Sequence, residues 1–80
     1  MNRDDARGAV HGAIMQVAPD VDTDDLDEKA RLRQDLELDS LDFLRLIETI
    51  AASTGVDAPE SDYDALTTVG GLIEYVAARG

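Results

Sequence analysis

Residues 39–53 read "DSLDFLRLIETIAAS", and the fold of the chain turns on their period. Phe43, Leu46, Ile47 and Ile50 recur at i, i+3, i+4 and i+7, one face of an α-helix. Asp39 is a good cap residue and Asp42 follows in the first turn, where acids suit the positive end of the helix dipole. The spacing predicts a helix over about 40–53, closed by Gly55. A second stripe, Leu41, Leu44, Arg45 and Glu48, lies one residue out of phase. Its two leucines admit two readings: a wide apolar arc that serves the core, or a face kept for a partner.

Upstream, Ala6, Val10, Ala13, Ile14 and Val17 have helical spacing, with Asp4 and Asp5 at the helix start and Pro19 as the stop. Gly8 and Gly12 each weaken such a helix by roughly 1 kcal/mol relative to alanine, so packing must hold it. Residues 19–39 form a long connection that Leu26, Leu32, Leu36 and Leu38 are expected to pin to the core, with room for a helical turn in "LDEKARLRQ". A structureless connection of that length is unusual in a small domain and is often functional. Downstream of Pro59, Ser61 and Asp64 resemble a capping pair for one short helix. Thr67 or Thr68 can cap a final helix whose inner face is Val69, Leu72, Ile73 and Val76. With no strand pattern and no internal repeat, the expectation is one all-α domain over 1–80, a small four-helix bundle of three longer helices and one short one.

The whole chain has 80 residues, 44% of them hydrophobic and only 4% aromatic. Its core must be aliphatic. Seven Lys and Arg against eighteen Asp and Glu give a net charge of −11. That surface repels nucleic acid and anionic membranes and attracts basic protein patches in a salt-dependent way. There is no cysteine, hence no disulfide, thiolate metal site or thiol nucleophile. No long apolar stretch or signal-peptide core is present, and a cytoplasmic monomer is expected.

Three places could carry chemistry. "DVDTDD", Asp20 to Asp25, begins like a calcium-binding loop, but the sixth position is Asp25 where glycine is needed and the twelfth is Arg31 where a bidentate glutamate is needed. A solvated acidic loop is the expectation, with no metal. His11, the single histidine, is expected on the surface. Ser40 stands at the start of the second helix. It could be a simple cap, but the free N–H groups and dipole of a helix N-terminus also suit a phosphorylated side chain, and its hydroxyl is expected to face solvent.

"DLELDSL", Asp35 to Leu41, resembles the phosphopantetheine-attachment motif of acyl carrier proteins, D-L-G-x-D-S-L. "LTTVGGLIEYV", Leu66 to Val76, is similar to the family's "ITTV…IDYI" ending at the matching distance, and Ala58-Pro59 falls where the family has an apolar residue and proline. The resemblance implies a freestanding, non-enzymatic carrier. A phosphopantetheinyl transferase would attach 4′-phosphopantetheine from coenzyme A to Ser40, and acyl groups would ride as thioesters to enzymes of fatty acid, polyketide or related biosynthesis. It further implies that Asp39, Leu41, Asp42, Leu44, Arg45 and Glu48 meet the transferase and the basic docking patches of loading ligases and synthases. Phe43, Leu46, Ile50, Ala58, Leu66 and Val69 would line an acyl pocket.

The departures from the motif are specific. Glu37 replaces the family's glycine, which would let the backbone before the serine turn differently. Arg45 stands where the family often has an acid, Ala51, Ala52 and Ser53 replace an acidic run, and Thr54 replaces an aromatic residue. These point to a specialised carrier with short acyl or aminoacyl cargo. Two alternatives stay open: an aminoacyl or peptidyl carrier loaded by a dedicated ligase, and an unmodified acidic helical module that binds a basic partner.

Overall fold

The computed structural model describes residues 1–22 and 26–80. Among the described residues the regular structure is three α-helices and one 3-10 helix: α1 (Arg3–Val17), α2 (Ser40–Thr54), the 3-10 helix (Glu60–Ala65) and α3 (Val69–Arg79). This is the expected all-α bundle. Among the described residues the nearest thing to a strand is one isolated antiparallel bridge between Arg31 and Thr68.

Each α-helix begins at a side chain that satisfies an otherwise unpaired N–H. Asn2 Oδ1 accepts from the Asp5 amide at 2.8 Å, Asp39 Oδ1 from Asp42 at 2.8 Å, and Thr68 Oγ1 from Gly71 at 3.0 Å. Such caps are worth about 1 kcal/mol each. Asp39 and Thr68 are legible as caps in the sequence; Asn2 is not singled out there, because Asp4 and Asp5 draw the attention. Gly55 closes α2 with φ 78°, a left-handed turn that glycine adopts without a Cβ penalty.

The aliphatic stripes face one another. Ala6, Val10, Ala13 and Ile14 of α1 are buried with Phe43, Leu46, Ile47 and Ile50 of α2 and with Val69, Leu72, Ile73 and Val76 of α3. Val17 is partly buried against them. α1 packs on both other α-helices. Tyr75, not named on the inner face expected for α3, also belongs to the core. Its hydroxyl explains the exception: it donates to Asp62 Oδ2 at 2.7 Å, and the Arg79 guanidinium lies 3.9 Å above its ring. The hydrogen bond to the Asp62 carboxylate, then burial, push the Tyr75 hydroxyl above its ordinary pKa.

The short helix differs from the sequence reading in kind. It is 3-10 rather than α, starts after Pro59 and has no side-chain cap. Ser61 therefore lies inside it instead of capping it. No residue of the 3-10 helix is fully buried. The Asp62–Tyr75 bond and an edge-to-face contact of Tyr63 with Phe43, 5.2 Å between ring centroids, tie it to α3 and α2.

The long connection is fastened at its far end. Leu32 and Leu38 are buried, Leu26 and Leu36 half-buried. Burying a leucine stabilises by roughly 1.5–3 kcal/mol, which offsets part of the entropy of ordering the loop. The Leu32 amide donates to Thr67 O, Val69 to Ala30 O and Gly70 to Glu28 O at 2.7 Å. The backbone at Glu28 comes so near that a Cβ on Gly70 would sit 3.0 Å from the Glu28 carbonyl oxygen. Glu28 in turn receives hydrogen bonds from Arg3 and an ion pair from Arg7 at 3.3 Å, which ties the loop to α1. The guanidinium of Arg3 holds the Glu28 carboxyl below the usual carboxylate range.

Candidate functional site

The approach to Ser40 is built by the "DLELDSL" segment. Amides of Asp35 and Leu36 donate to Arg31 O at 2.8 and 3.2 Å, closing one helical turn. Asp35 Oδ2 accepts from the Arg31 amide at 2.7 Å and from Arg31 Nε at 3.3 Å. The amide, then the side chain, lower the Asp35 pKa. Glu37 follows with φ 58°. The backbone thus makes a left-handed turn there, a conformation that side chains with a Cβ rarely adopt. Leu38 drops into the core, Asp39 caps, and Ser40 becomes the first residue of α2.

Ser40 is exposed. It does not cap the helix; Asp39 does. Among the described residues, the side-chain partner of its hydroxyl is Arg33, whose Nη2 donates to Oγ at 3.1 Å. A guanidinium stays protonated and cannot take a proton from serine. The hydroxyl is presented rather than activated. It opens on a cleft of about 520 Å³ lined by Arg33, Gln34, Phe43, Leu44, Tyr63 and Leu66, with Glu60, Asp64 and Thr67 completing the rim.

On the outer face of α2, Leu41 is 71% and Leu44 42% exposed. That excludes a wide core-facing arc as the reason for these leucines. Asp39, Arg45 and Glu48 are exposed and Asp42 is half-buried. Arg45 forms no ion pair within 4 Å among the described residues, so the i, i+3 pairing with Glu48 is not made.

Of the six residues named for an acyl pocket, all are buried, and Phe43 and Leu66 stand on the walls of the cleft beside Ser40. Leu46, Ile50, Ala58 and Val69 lie in the core and do not line it. Arg33, Gln34, Glu60 and Tyr63 were not singled out from the sequence as site residues, and Asp64 was read there only as half of a capping pair. The first two are in the long connection, the others in the 3-10 helix, and no local pattern announces what a loop will face.

His11 departs from its expected place. It is half-buried beside the Val10 and Ile14 stripe, and its Nε2 has no hydrogen-bond partner among the described residues. It lines no part of the Ser40 cleft. Of the acidic loop weighed as a calcium site, Asp24 and Asp25, with Thr23, lie outside the described residues; Asp20 and Asp22 are exposed. Among the described residues no helix is long and apolar enough to cross a membrane.

Comparison with known proteins agrees with this geometry. Residues 12–76 match the family model for the phosphopantetheine attachment site. The acyl carrier protein of Lactobacillus johnsonii is 32% identical over 74% of this chain and 74% of its own. That of Rubrobacter xylanophilus is 36% identical over 70% of this chain and 69% of its own, and that of Thermotoga maritima 34% over 74% and 73%. Family members work with phosphopantetheinyl transferases and with synthase enzymes. The chain belongs to the acyl carrier proteins, non-enzymatic carriers that hold their cargo on a covalently attached 4′-phosphopantetheine.

Proposed function

We propose that Ser40 is the residue that receives the prosthetic group, and that the chain carries acyl thioesters in fatty acid, polyketide or related biosynthesis. The observation that carries this reading is the exposed Ser40 hydroxyl at the mouth of the cleft, whose side-chain hydrogen-bond partner among the described residues is a cation, Arg33. In the attachment reaction Ser40 Oγ forms a bond to the phosphorus of coenzyme A nearest the pantetheine. The pyrophosphate P–O bond breaks, the nucleoside bisphosphate leaves, and the serine proton passes to the transferase. The group supplies the thiol that this cysteine-free chain lacks. The exposed face of α2, with Leu41 and Leu44 as apolar contacts among Asp39, Asp42, Arg45 and Glu48, is the surface on which the transferase and the cargo-handling enzymes dock.

The cleft favours short cargo. Its walls mix Phe43, Leu44, Tyr63 and Leu66 with charged Glu60 and Asp64, a poor home for a long alkyl chain. The two acids also favour a cargo amino group, which supports a second reading as an aminoacyl carrier.

Intact mass after incubation with a phosphopantetheinyl transferase and coenzyme A tests the assignment. The wild-type chain gains one phosphopantetheine. Ser40→Ala folds, since Asp39 still caps α2, and gains nothing. Uptake by the variant would refute the assignment. The mass of the thioester on holo-protein from its native host separates acyl from aminoacyl cargo.

A further inference from the structure

Arg33 is out of keeping with most of its fellow cations. Arg3, Arg7, Arg31 and Arg79 each reach a carboxylate within 4 Å. Arg33, in a chain of net charge −11, turns instead to a neutral hydroxyl, Ser40 Oγ at 3.1 Å. Eighteen acids are present, yet among the described residues none pairs with it. A guanidinium is best satisfied by a paired anion. Its aim at a serine leaves that preference unmet as long as the serine is unmodified.

The surroundings make the want mutual. Asp39 lies directly before the serine and Asp42 two residues after it. A phosphodiester on Ser40 would add a negative charge to this cluster, and like charges at such distances destabilise. The amides of the first turn of α2 offset part of this, but Asp39 already takes the Asp42 amide. Arg33 is the described cation within hydrogen-bond reach of Oγ. It is also held in place, because the turn that carries it is closed by the Arg31–Asp35 bonds and pinned by buried Leu32.

We infer that Arg33 is a positioning residue for the prosthetic group: its guanidinium pairs with the phosphodiester on Ser40 and fixes the base of the arm at the mouth of the cleft it lines. The inference rests on Ser40 as the attachment point. It assigns Arg33 no part in bond-making, since the attachment chemistry belongs to the transferase. A plain structural role for Arg33 would affect modified and unmodified protein alike. A phosphate-pairing role affects only the modified one.

The experiment uses wild type, Arg33→Gln and Arg33→Lys, each prepared unmodified and modified, with intact mass confirming one added group. The readouts are the melting temperature of both forms and the 31P resonance of the phosphodiester. Modification leaves the wild-type melting temperature level or raises it. In Arg33→Gln it lowers it by roughly 2–4 °C, the scale of one lost surface charge pair in a domain of this size. Arg33→Lys restores most of the difference, and roughly 1 M salt, with a screening length near 3 Å, abolishes it. The 31P resonance moves between wild type and Arg33→Gln. An identical effect of modification on wild type and Arg33→Gln, with an unmoved 31P resonance, would overturn the inference while leaving Ser40 intact. Uptake of the group by Ser40→Ala would overturn the inference together with its premise.

Discussion

Glu37 holds a left-handed backbone turn at the position where the attachment motif has glycine. A Cβ-bearing residue in the left-handed region is costlier by roughly 1–2 kcal/mol, and Glu37 stands there with φ 58°. Its neighbours enforce the turn: Leu38 must reach the core, and Asp39 must fall in register to cap α2. Glycine would remove the steric penalty and lose roughly 0.5–1 kcal/mol more chain entropy on folding. Glu37→Gly is therefore expected to stabilise by about 0.5–1 kcal/mol, a rise of roughly 2–8 °C in melting temperature, read by a thermal scan of the unmodified protein. An unchanged or lower melting temperature would mean that the glutamate side chain contributes something to outweigh the strain. Sequence alone signals the missing glycine. It does not say whether the backbone or the residue yields, because that is decided by distant packing.

At the scale of elements, local signals read well and long-range ones poorly. The stripes of α1, α2 and α3 are visible because burial follows the helical period, and Asp39, Thr68 and Gly55 because caps act within one turn. The 3-10 character of residues 60–65 was not, since nothing local outweighs an α reading there; its position comes from Tyr75 and Phe43, far along the chain. Gly70 and Gly71 of α3 drew no structural reading from the sequence. In the structure they make room for Glu28 and Ala65, whose carbonyl oxygens would lie 3.0 and 2.9 Å from an added Cβ. Half of the cleft beside Ser40 was invisible for the same reason. On α2 the exposed, unpaired Arg45 is expected to select partners: it repels a basic docking patch and favours one with an acid or a neutral group opposite. Arg45→Glu should improve loading by generic fatty acid synthase enzymes and weaken loading by the cognate enzyme, each by several-fold in kcat/KM. Equal rates for mutant and wild type in both assays would remove Arg45 from recognition.

Over the molecule as a whole, charge sets the response to solution conditions. At neutral pH the excess of acids opposes compaction, so moderate salt should raise the melting temperature. The ion pairs act in the opposite sense. Glu28 and Asp35 both have pKa values lowered by folding, so their contribution is present above the ordinary carboxylate range and is lost as pH falls through their lowered values. Near the isoelectric point of about 4.1 the net repulsion has vanished and salt should no longer stabilise. Glu28→Gln provides the control. It is less stable than wild type at neutral pH, and the gap closes as pH falls through the lowered pKa of Glu28 and the carboxyl takes up its proton. Urea melts of both proteins across this range check the claim; a gap that persists unchanged in acid would show that Glu28 acts by something other than its charge.

The bridge between Arg31 and Thr68 also sets an order of assembly. The cap and apolar stripe of α2 are local, so this helix can form early. The turn carrying Arg33 is secured by residues 67–70, which are remote in sequence, and contacts of that kind form late because a long loop must close first. During synthesis the serine emerges well ahead of them. A nascent chain halted before residue 66 thus lacks the bonds from residues 67–70 to the connection, and the Arg33 turn is fastened to the rest of the domain only when α3 docks. Fluorescence or NMR probes on Arg33 and on α2 during refolding would see the helix appear first and the loop settle with the final helix.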